Sequence, residues 1–330
     1  MTKVLAYSHR TDERDFFQQF SRKYGVELVL CKDAPSLENV SLAEGISCIS
    51  VITTPIDAAL LDGLYGAGVR YISTRTVGYE HIDVEHARKI GMEIGNVSYS
   101  PHSVADYTVM LILMSLRHVK TVLQRSVGQD YSLRKVRGRE LRNQTVGIIG
   151  TGRIGKAVIR NLSGFGCRIL AYDRQTDGEI GKWADYVPLE ELYANSDILS
   201  LHIPAGGDNS HLMDKASIWK MKEGAVLINT ARGSLVDTQA LIDALEAGRV
   251  GGAALDVLEG ETPIYYRDLK GQVLDNRALA VLSSFPNVIV TPHMAFYTDQ
   301  AVSDMVEYSL LSCTLFEKGE ENPWAVGLKK

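Results

Sequence analysis

The segment VGIIGTGRIG, residues 146–155, carries three glycines at a spacing that lets phosphate groups reach the backbone. Gly150, Gly152 and Gly155 form a GxGxxG pattern directly after an apolar strand candidate and at the start of a helical stretch. There the first glycine permits a tight turn, the second lets a pyrophosphate approach, and the third lets the helix pack closely on the strand. The N–H groups at the helix start suit phosphates, and Arg153 lies beside them. The motif predicts a dinucleotide cofactor.

The next strand candidate, RILAYD, ends in Asp173. An acidic side chain there binds the ribose hydroxyls and repels a 2′-phosphate, which favours NAD over NADP. Asp173 also suits an ordinary turn at a strand end, and the following Arg174 would weaken the discrimination. Because the glycine motif precedes it, we expect NAD as the cofactor.

Three further residues of reactive types each follow an apolar strand candidate: Arg232 after AVLIN, Glu261 after GGAALDV and His293 after NVIV. A guanidinium grips a carboxylate through two parallel bonds. An imidazole exchanges a proton near neutral pH, and a carboxylate on its other nitrogen orients the ring. Ligands of open α/β sheets bind at the carboxyl ends of the strands. The set therefore predicts hydride transfer between a nicotinamide and a 2-keto acid.

Each of these three residues also has a structural explanation. An arginine after a strand often forms a surface ion pair, a glutamate beside glycine often belongs to a loop, and a histidine after proline can end a strand. Their joint occurrence at the ends of successive strands, behind a dinucleotide motif, favours the catalytic interpretation.

Short apolar runs alternate with helical patterns along the chain, which predicts an α/β fold of two doubly wound parallel-sheet domains. The first part has strand candidates at 4–7, 27–30, 48–52, 70–74 and 92–97, without a glycine-rich turn. The second has six, at 145–149, 168–172, 198–201, 225–229, 252–256 and 288–291, which match a Rossmann domain. A final helix, 299–317, is expected to pack on the first domain.

The segment SPHSVADYTVMLILMSLRH predicts a helix capped by Ser100, with Pro101 at its first position. Apolar residues cover every face, so the helix is either interior or part of a subunit interface. Because a helix leading into the second domain should have one outer face, we expect a homodimer through residues 101–119.

Composition excludes several classes of protein. The 330 residues carry a net charge of -5 without a long basic block, which argues against a nucleic-acid partner. No apolar run is long enough to span a bilayer, and the N-terminus does not resemble a signal peptide. The four cysteines are scattered, which argues against a metal site and against disulfides. We expect a cytoplasmic protein.

The motifs VGIIGTGRIGKAV, INTARGSLVDTQAL, AALDVLEGE and TPHMAFYT resemble those of the D-2-hydroxyacid dehydrogenase family over essentially the full length of the chain. The similarity is closest to the D-lactate dehydrogenase branch, including the enzymes of vancomycin-resistance clusters. The resemblance implies that Arg232, Glu261 and His293 are the catalytic set. It also implies a flavodoxin-like substrate domain, residues 1–99 and 298–330, and an NAD-binding Rossmann domain, residues 100–297.

The resemblance implies roles for further residues. The expected substrate contacts, besides Arg232 and His293, are the backbone of Val77 and Gly78 and the side chains of Tyr99 and Phe296. The expected cofactor contacts, besides the glycines and Asp173, are Arg153, Ile154, Ile203, Pro204, Asn209, Thr230, Ala231, Arg232 and Asp256.

The implied reaction is NADH-dependent reduction of a small 2-keto acid to the D-2-hydroxy acid, with pyruvate to D-lactate as the first expectation. The D stereochemistry comes from the resemblance alone. Ile56 occupies a position where many D-lactate dehydrogenases carry tyrosine, and a wider pocket would suit the alternative substrates of D-2-hydroxyisocaproate or phenyllactate dehydrogenases. A second alternative is a non-enzymatic, NADH-sensing corepressor that binds peptides.

Overall fold

The computed structural model describes residues 2–262, 264 and 266–327 and divides into two compact units. One unit comprises Met1–Ser100 and Tyr297–Lys330, and the other comprises Pro101–Phe296. These boundaries differ by one residue from those that the resemblance implies. No described helix has the length and apolar character that a bilayer crossing requires.

The strands, in chain order, are β1 Lys3–Ala6, β2 Glu27–Leu30, β3 Cys48–Val51, β4 Tyr71–Thr74, β5 Glu93–Gly95, β6 Thr145–Ile149, β7 Arg168–Tyr172, β8 Asp185–Tyr186, β9 Ile198–Leu201, β10 Ala225–Asn229, β11 Val250–Leu255 and β12 Val288–Val290. The α-helices are α1 Arg14–Tyr24, α2 Ala58–Gly66, α3 Val84–Ile90, α4 His102–Leu116, α5 Val119–Val127, α6 Arg153–Ser163, α7 Leu189–Asn195, α8 Lys215–Lys220, α9 Thr238–Glu246, α10 Arg277–Ser284 and α11 Asp299–Lys318.

The smaller unit is built on a parallel sheet of five strands in the order β2-β1-β3-β4-β5. Successive residues of a strand point to opposite faces, so Val4 faces α1 and α11 while Leu5 faces α2 and α3. The order is that of flavodoxin-like folds, in which ligands bind outside the carboxyl ends of the strands. The predicted fold of this unit is confirmed.

The larger unit contains a parallel sheet of seven strands in the order β12-β11-β10-β9-β6-β7-β8. The chain order reverses at β6, which places a crevice between the carboxyl ends of β6 and β9. Two apolar clusters cover the two faces, one with α4 and α6 and the other with α8 and α9. The predicted Rossmann domain is confirmed, with one strand more than the six expected.

The start of α4 differs from the prediction. Pro101, and not Ser100, is the residue before the helix, and a proline side chain has no group that could cap it by a hydrogen bond. The N–H of Ser100 instead donates to the carboxylate of Asp304, at 2.8 Å, because α11 of its own unit lies beside it. The helix is mostly buried, yet Met110 is exposed on its outer side.

Candidate active site

The glycine motif forms the turn between β6 and α6, with Gly152 as the residue before the helix. Gly150 has a φ of +98°, which side-chain-bearing residues rarely adopt. A Cβ on Gly155 would lie 1.9 Å from the carbonyl oxygen of Gly150, whereas a Cβ on Gly152 would meet no atom within 4 Å. The turn is therefore closed at both ends and open at Gly152, which is the shape that a pyrophosphate needs. Arg153 and Ile154 begin the helix at this opening.

Two alanine substitutions should separate the packing role from the binding role of this turn. Gly155→Ala must displace the Gly150 carbonyl, so we expect the free energy of unfolding to fall by about 1–3 kcal/mol. Gly152→Ala should keep the melting temperature but weaken NADH binding, since its methyl group occupies the open side. Thermal unfolding and a fluorescence titration with NADH measure the two effects. Unchanged NADH affinity in Gly152→Ala would contradict the predicted phosphate approach.

Asp173 follows β7 directly and its carboxylate holds the glycine turn. One oxygen accepts hydrogen bonds from the N–H of Thr151, at 2.6 Å, and from its hydroxyl, at 3.2 Å. The other accepts from the N–H of Gln175 at 3.2 Å. Although burial acts to raise the pKa of Asp173, these hydrogen bonds outweigh it and lower the pKa. An ionised carboxylate is thus fixed where the predicted ribose contact requires one.

The other predicted cofactor residues follow β9 and β10. Ile203 approaches the glycine turn, because a Cβ on Gly150 would lie 2.7 Å from its Cγ2 atom. In the same segment the side-chain amide of Asn209 donates to the carbonyl of Pro204 at 3.2 Å. Arg174 donates to Asn209 at 3.3 Å, which links this segment to the end of β7.

Thr230 and Ala231 lie in the turn after β10. The hydroxyl of Thr230 is buried and lies 2.9 Å from that of Thr108 in α4. Ala231 donates its N–H to the side chain of Asn229 at 3.0 Å. The predicted cofactor contacts of these two residues stay predictions.

Arg232, Glu261 and His293 follow β10, β11 and β12, which are neighbours in the sheet. Since the sheet is parallel, all three lie at its carboxyl edge. The Arg232 backbone is held by the buried side chain of Asn229, whose amide donates to the Arg232 carbonyl at 2.8 Å. The sequence analysis did not identify Asn229, although its position as the last residue of an otherwise apolar strand was a signal.

Glu261 and His293 form a pair. A carboxylate oxygen of Glu261 lies 3.4 Å from Nδ1 of His293, and its other oxygen accepts from the Leu258 N–H at 2.6 Å. The distance to the imidazole is long for a hydrogen bond, and catalytic contacts commonly shorten when ligands bind. Nδ1 of His293 therefore faces the Glu261 carboxylate, and Nε2, on the opposite side of the ring, points away from it.

The environment of Glu261 predicts a pH dependence. Burial raises the pKa of Glu261 above its usual 4.5 and Asp256 adds to the rise, while His293 and the Leu258 N–H act against it. As pH falls, the carboxylate is therefore lost earlier than in a free glutamate. We expect kcat/KM for keto-acid reduction to decline on acidification with a midpoint above 4.5. Glu261→Gln should remove this limb, and an unchanged profile in that variant would contradict the assignment.

Asp256 has a role that the sequence analysis missed. Its buried carboxylate accepts hydrogen bonds from the Thr291 hydroxyl at 2.6 Å and from the N–H groups of Met294 and Ala295, each at 2.9 Å. Its carbonyl accepts the N–H of His293 at 2.8 Å. Together these bonds hold His293 at a φ of 52°, a conformation that needs outside support. Asp256 therefore anchors the histidine turn, and its predicted cofactor contact stays a prediction.

The remaining predicted substrate residues lie in separate units. In the larger unit, the Phe296 ring stands edge-on to the His293 ring, with centroids 6.2 Å apart. In the smaller unit, the carbonyls of Val77 and Gly78 accept from Asn96 at 2.7 Å and from the Thr76 hydroxyl at 2.6 Å. The first bond fixes the peptide that carries the Gly78 N–H, and the Thr76 carbonyl, which shares a peptide with the Val77 N–H, accepts from the Val97 N–H at 3.1 Å. Tyr99 follows β5 in that unit, and its role stays a prediction.

The interpretation of Ile56 as a pocket wall is wrong. Its side chain is only 1 % exposed and belongs to the apolar cluster that contains α2 and α3. Its backbone pairs with Ile82 in an isolated bridge. Ile56 is therefore a core residue of the smaller unit and gives no reason to expect a wider pocket.

Comparison with known proteins identifies the family of this chain. Residues 109–295 match the model of the family described as D-isomer specific 2-hydroxyacid dehydrogenase, NAD binding domain. A D-specific alpha-keto acid dehydrogenase of Enterococcus faecium is 46% identical over 97% of this chain and 98% of its own length. An aromatic 2-oxoacid reductase of Clostridium sporogenes is 41% identical over 96% of each chain. The crystal structure of a D-lactate dehydrogenase from Treponema pallidum superposes with a TM-score of 0.90 at 32% identity, covering 99% and 100% of the two chains.

Proposed function

Because this chain belongs to the D-isomer specific 2-hydroxyacid dehydrogenase family, we propose that it reduces pyruvate to D-lactate with NADH. The observation that carries the proposal is the Glu261–His293 pair at the sheet edge that also holds Arg232. The larger unit is an NAD-binding domain, and its open turn at Gly152 fits the pyrophosphate. When bound, NADH supplies the hydride.

The protein's own groups supply charge and a proton. We assign to the Arg232 guanidinium the two-pronged grip on the substrate carboxylate. The family resemblance assigns a further contact with the substrate carboxylate to the N–H groups of Val77 and Gly78. The protonated His293 donates from Nε2 to the keto oxygen as negative charge develops there, and Glu261 stabilises the imidazolium before the transfer. Phe296 excludes water beside the imidazole.

A second candidate is a larger, aromatic or branched 2-keto acid. The 41% identical aromatic 2-oxoacid reductase favours it, while the buried position of Ile56 removes the sequence argument for it. The test is a kinetic comparison of pyruvate, 2-ketoisocaproate and phenylpyruvate, with NADH and NADPH, and with the chirality of the product determined. We expect the highest kcat/KM with pyruvate and NADH and a D product.

Three outcomes of this panel would change the proposal. Higher kcat/KM with phenylpyruvate would replace pyruvate by the second candidate. An L product would overturn the stereochemical assignment. Binding of NADH without oxidation by any 2-keto acid would instead support the non-enzymatic corepressor alternative.

The cytoplasmic location stays a prediction.

We also propose that the chain forms a homodimer through the outer side of α4. Met110, Val122 and Phe165 line an apolar groove there and are 39–43% exposed. Val127, the last residue of α5, is a further apolar side chain with 88% exposure. An exposed apolar groove is typical of an interface, and a second copy of the chain is the occupant that we propose for it.

Light scattering should therefore give the mass of a dimer for the wild-type chain. Met110→Glu should give a monomer, because it places a charge in the groove. Trp219→Glu, a matched change at an exposed aromatic residue outside the groove, should stay dimeric. A monomeric wild type would overturn the proposal.

A further inference from the structure

Glu259 is a second carboxylate in the loop after β11, and its two oxygens bind two different segments. One oxygen lies 2.6 Å from Nε2 of His211. The other accepts from the N–H of Thr238, at 3.0 Å, and from its hydroxyl, at 2.8 Å. Thr238 is the first residue of α9, where a negative charge is favoured by the helix dipole. Although burial acts to raise the pKa of Glu259, these partners outweigh it and lower the pKa.

The segment that carries His211 lies along the turn that follows Arg232. The N–H of His211 donates to the Ser234 carbonyl at 2.8 Å, and the N–H of Met213 donates to the Leu235 carbonyl at 2.9 Å. His211 has a φ of 50°, a backbone conformation that surrounding contacts must stabilise. This conformation sets the direction of its imidazole ring. Its side chain, turned toward Glu259, closes a bridge between this segment and the loop of Glu261.

The turn after Arg232 also packs directly on that loop. A Cβ on Gly233 would lie 2.1 Å from the carbonyl carbon of Leu258 and 2.6 Å from the nitrogen of Glu259. The peptide N–H of Leu258 is in turn the donor to Glu261. Leu258 therefore links the two sides: its carbonyl packs against the Arg232 turn, and its N–H, in the preceding peptide, holds the Glu261 carboxylate.

We propose that Glu259 is a positioning residue that fixes Glu261 against the Arg232 turn through His211 and Thr238. The proposal rests on the proposed function, in which Glu261 acts through His293. Glu259 acts on Glu261 through the loop that both occupy, in which the Leu258 N–H holds the Glu261 carboxylate. The same bridge holds the segment of Asn209, since the N–H of Leu212 donates to the Asn209 carbonyl at 3.1 Å.

The test compares Glu259→Ala and Glu259→Gln with a matched control, Asp83→Ala. Asp83 is also a carboxylate at the start of a helix, accepting from the His86 N–H at 2.9 Å, but it lies in the smaller unit. We expect Glu259→Ala to lower kcat for keto-acid reduction about tenfold, because even a small displacement of a catalytic group lowers the rate of the reaction. Glu259→Gln, which keeps an acceptor for Thr238, should retain more activity. Asp83→Ala should keep the wild-type kcat.

The pH profile separates positioning from a general loss of stability. In Glu259→Ala the freed loop hydrates Glu261, so the acid limb of kcat/KM should move to lower pH, whereas it should not move in Asp83→Ala. A wild-type kcat and an unmoved acid limb in Glu259→Ala would overturn the proposal.

An activity-independent measurement keeps this proposal apart from the proposed function. Amide hydrogen exchange at Leu258 should be faster in Glu259→Ala than in wild type and unchanged in Asp83→Ala. If the wild-type protein reduces no 2-keto acid, the proposed function has failed, and the exchange result alone decides whether Glu259 holds the loop. Unchanged exchange at Leu258 would overturn the role of Glu259 in either case.

Discussion

Replacing His293 by alanine is expected to lower kcat for reduction of the 2-keto acid by a factor of about 10²–10⁴, the usual contribution of a positioned general acid. Without the imidazole the keto oxygen must take its proton from water. The dissociation constant of NADH should stay unchanged, because the glycine turn and Asp173 lie on other strands of the sheet. Stopped-flow measurement of NADH oxidation and a fluorescence titration test the two parts separately.

A second variant tests whether the loss of kcat comes from the missing imidazole or from a changed backbone at position 293. His293 has a φ of 52°, which alanine adopts less readily than asparagine. His293→Asn tolerates the turn but lacks the acid, so it should lose as much kcat as His293→Ala while keeping the wild-type melting temperature. His86→Ala, at a surface histidine paired with Asp62, is the control and should be fully active. Substantial kcat in His293→Asn would remove His293 from the proton transfer.

The central strands of the larger unit could be predicted to the residue. The bounds of β6, β7, β9 and β10 agree with the sequence prediction, because a strand buried on both faces is a continuous apolar run between polar turns. β8 was missed, since two residues at the edge of a sheet leave no such run. β11 begins at Val250, two residues before the predicted start at Gly252, because Val250 already pairs with Ala225 of β10.

The edge of the sheet that holds the site was also predictable, but the hydrogen bonds within it were not. A reactive residue after an apolar run must lie at the carboxyl end of a strand, and this placed Arg232, Glu261 and His293 correctly along one edge. The direction of a side chain depends on partners that are distant in sequence. Asp256 turns toward residues that follow the next strand of the sheet, and Glu259 turns toward His211. Spacing along the chain carries no signal for such contacts.

Ile56 shows the limit of carrying a residue's role over by alignment. The resemblance predicts a pocket wall at this position because relatives carry a ring there, whereas the Ile56 side chain packs among the apolar residues around α2. This is why the substrate panel, and not a substitution at Ile56, is the informative experiment on specificity.

Arg232→Lys is expected to raise KM for the 2-keto acid about 10- to 150-fold with a smaller effect on kcat. A hydrogen bond to a charged group is worth about 1.5–3 kcal/mol, and every 1.4 kcal/mol is a tenfold change in affinity. Lysine keeps the positive charge but presents a point charge, so it cannot make two parallel bonds to a planar carboxylate. The variant therefore loses the two parallel bonds to the carboxylate but keeps the positive charge beside it.

The expected split between KM and kcat follows from where Arg232 is held. The side chain of Asn229 binds both the Arg232 carbonyl, at 2.8 Å, and the Ala231 N–H, at 3.0 Å, so the turn should survive the loss of the guanidinium and of its bond to the Ala231 carbonyl. NADH affinity should change little, whereas Arg232→Ala, which removes the charge as well, should lose kcat in addition. Initial-rate kinetics over a range of keto-acid concentrations measure both constants. If Arg232→Lys showed wild-type KM and kcat, the substrate carboxylate would have to be bound by another cation, and the proposed orientation of the keto group toward His293 would fail with it.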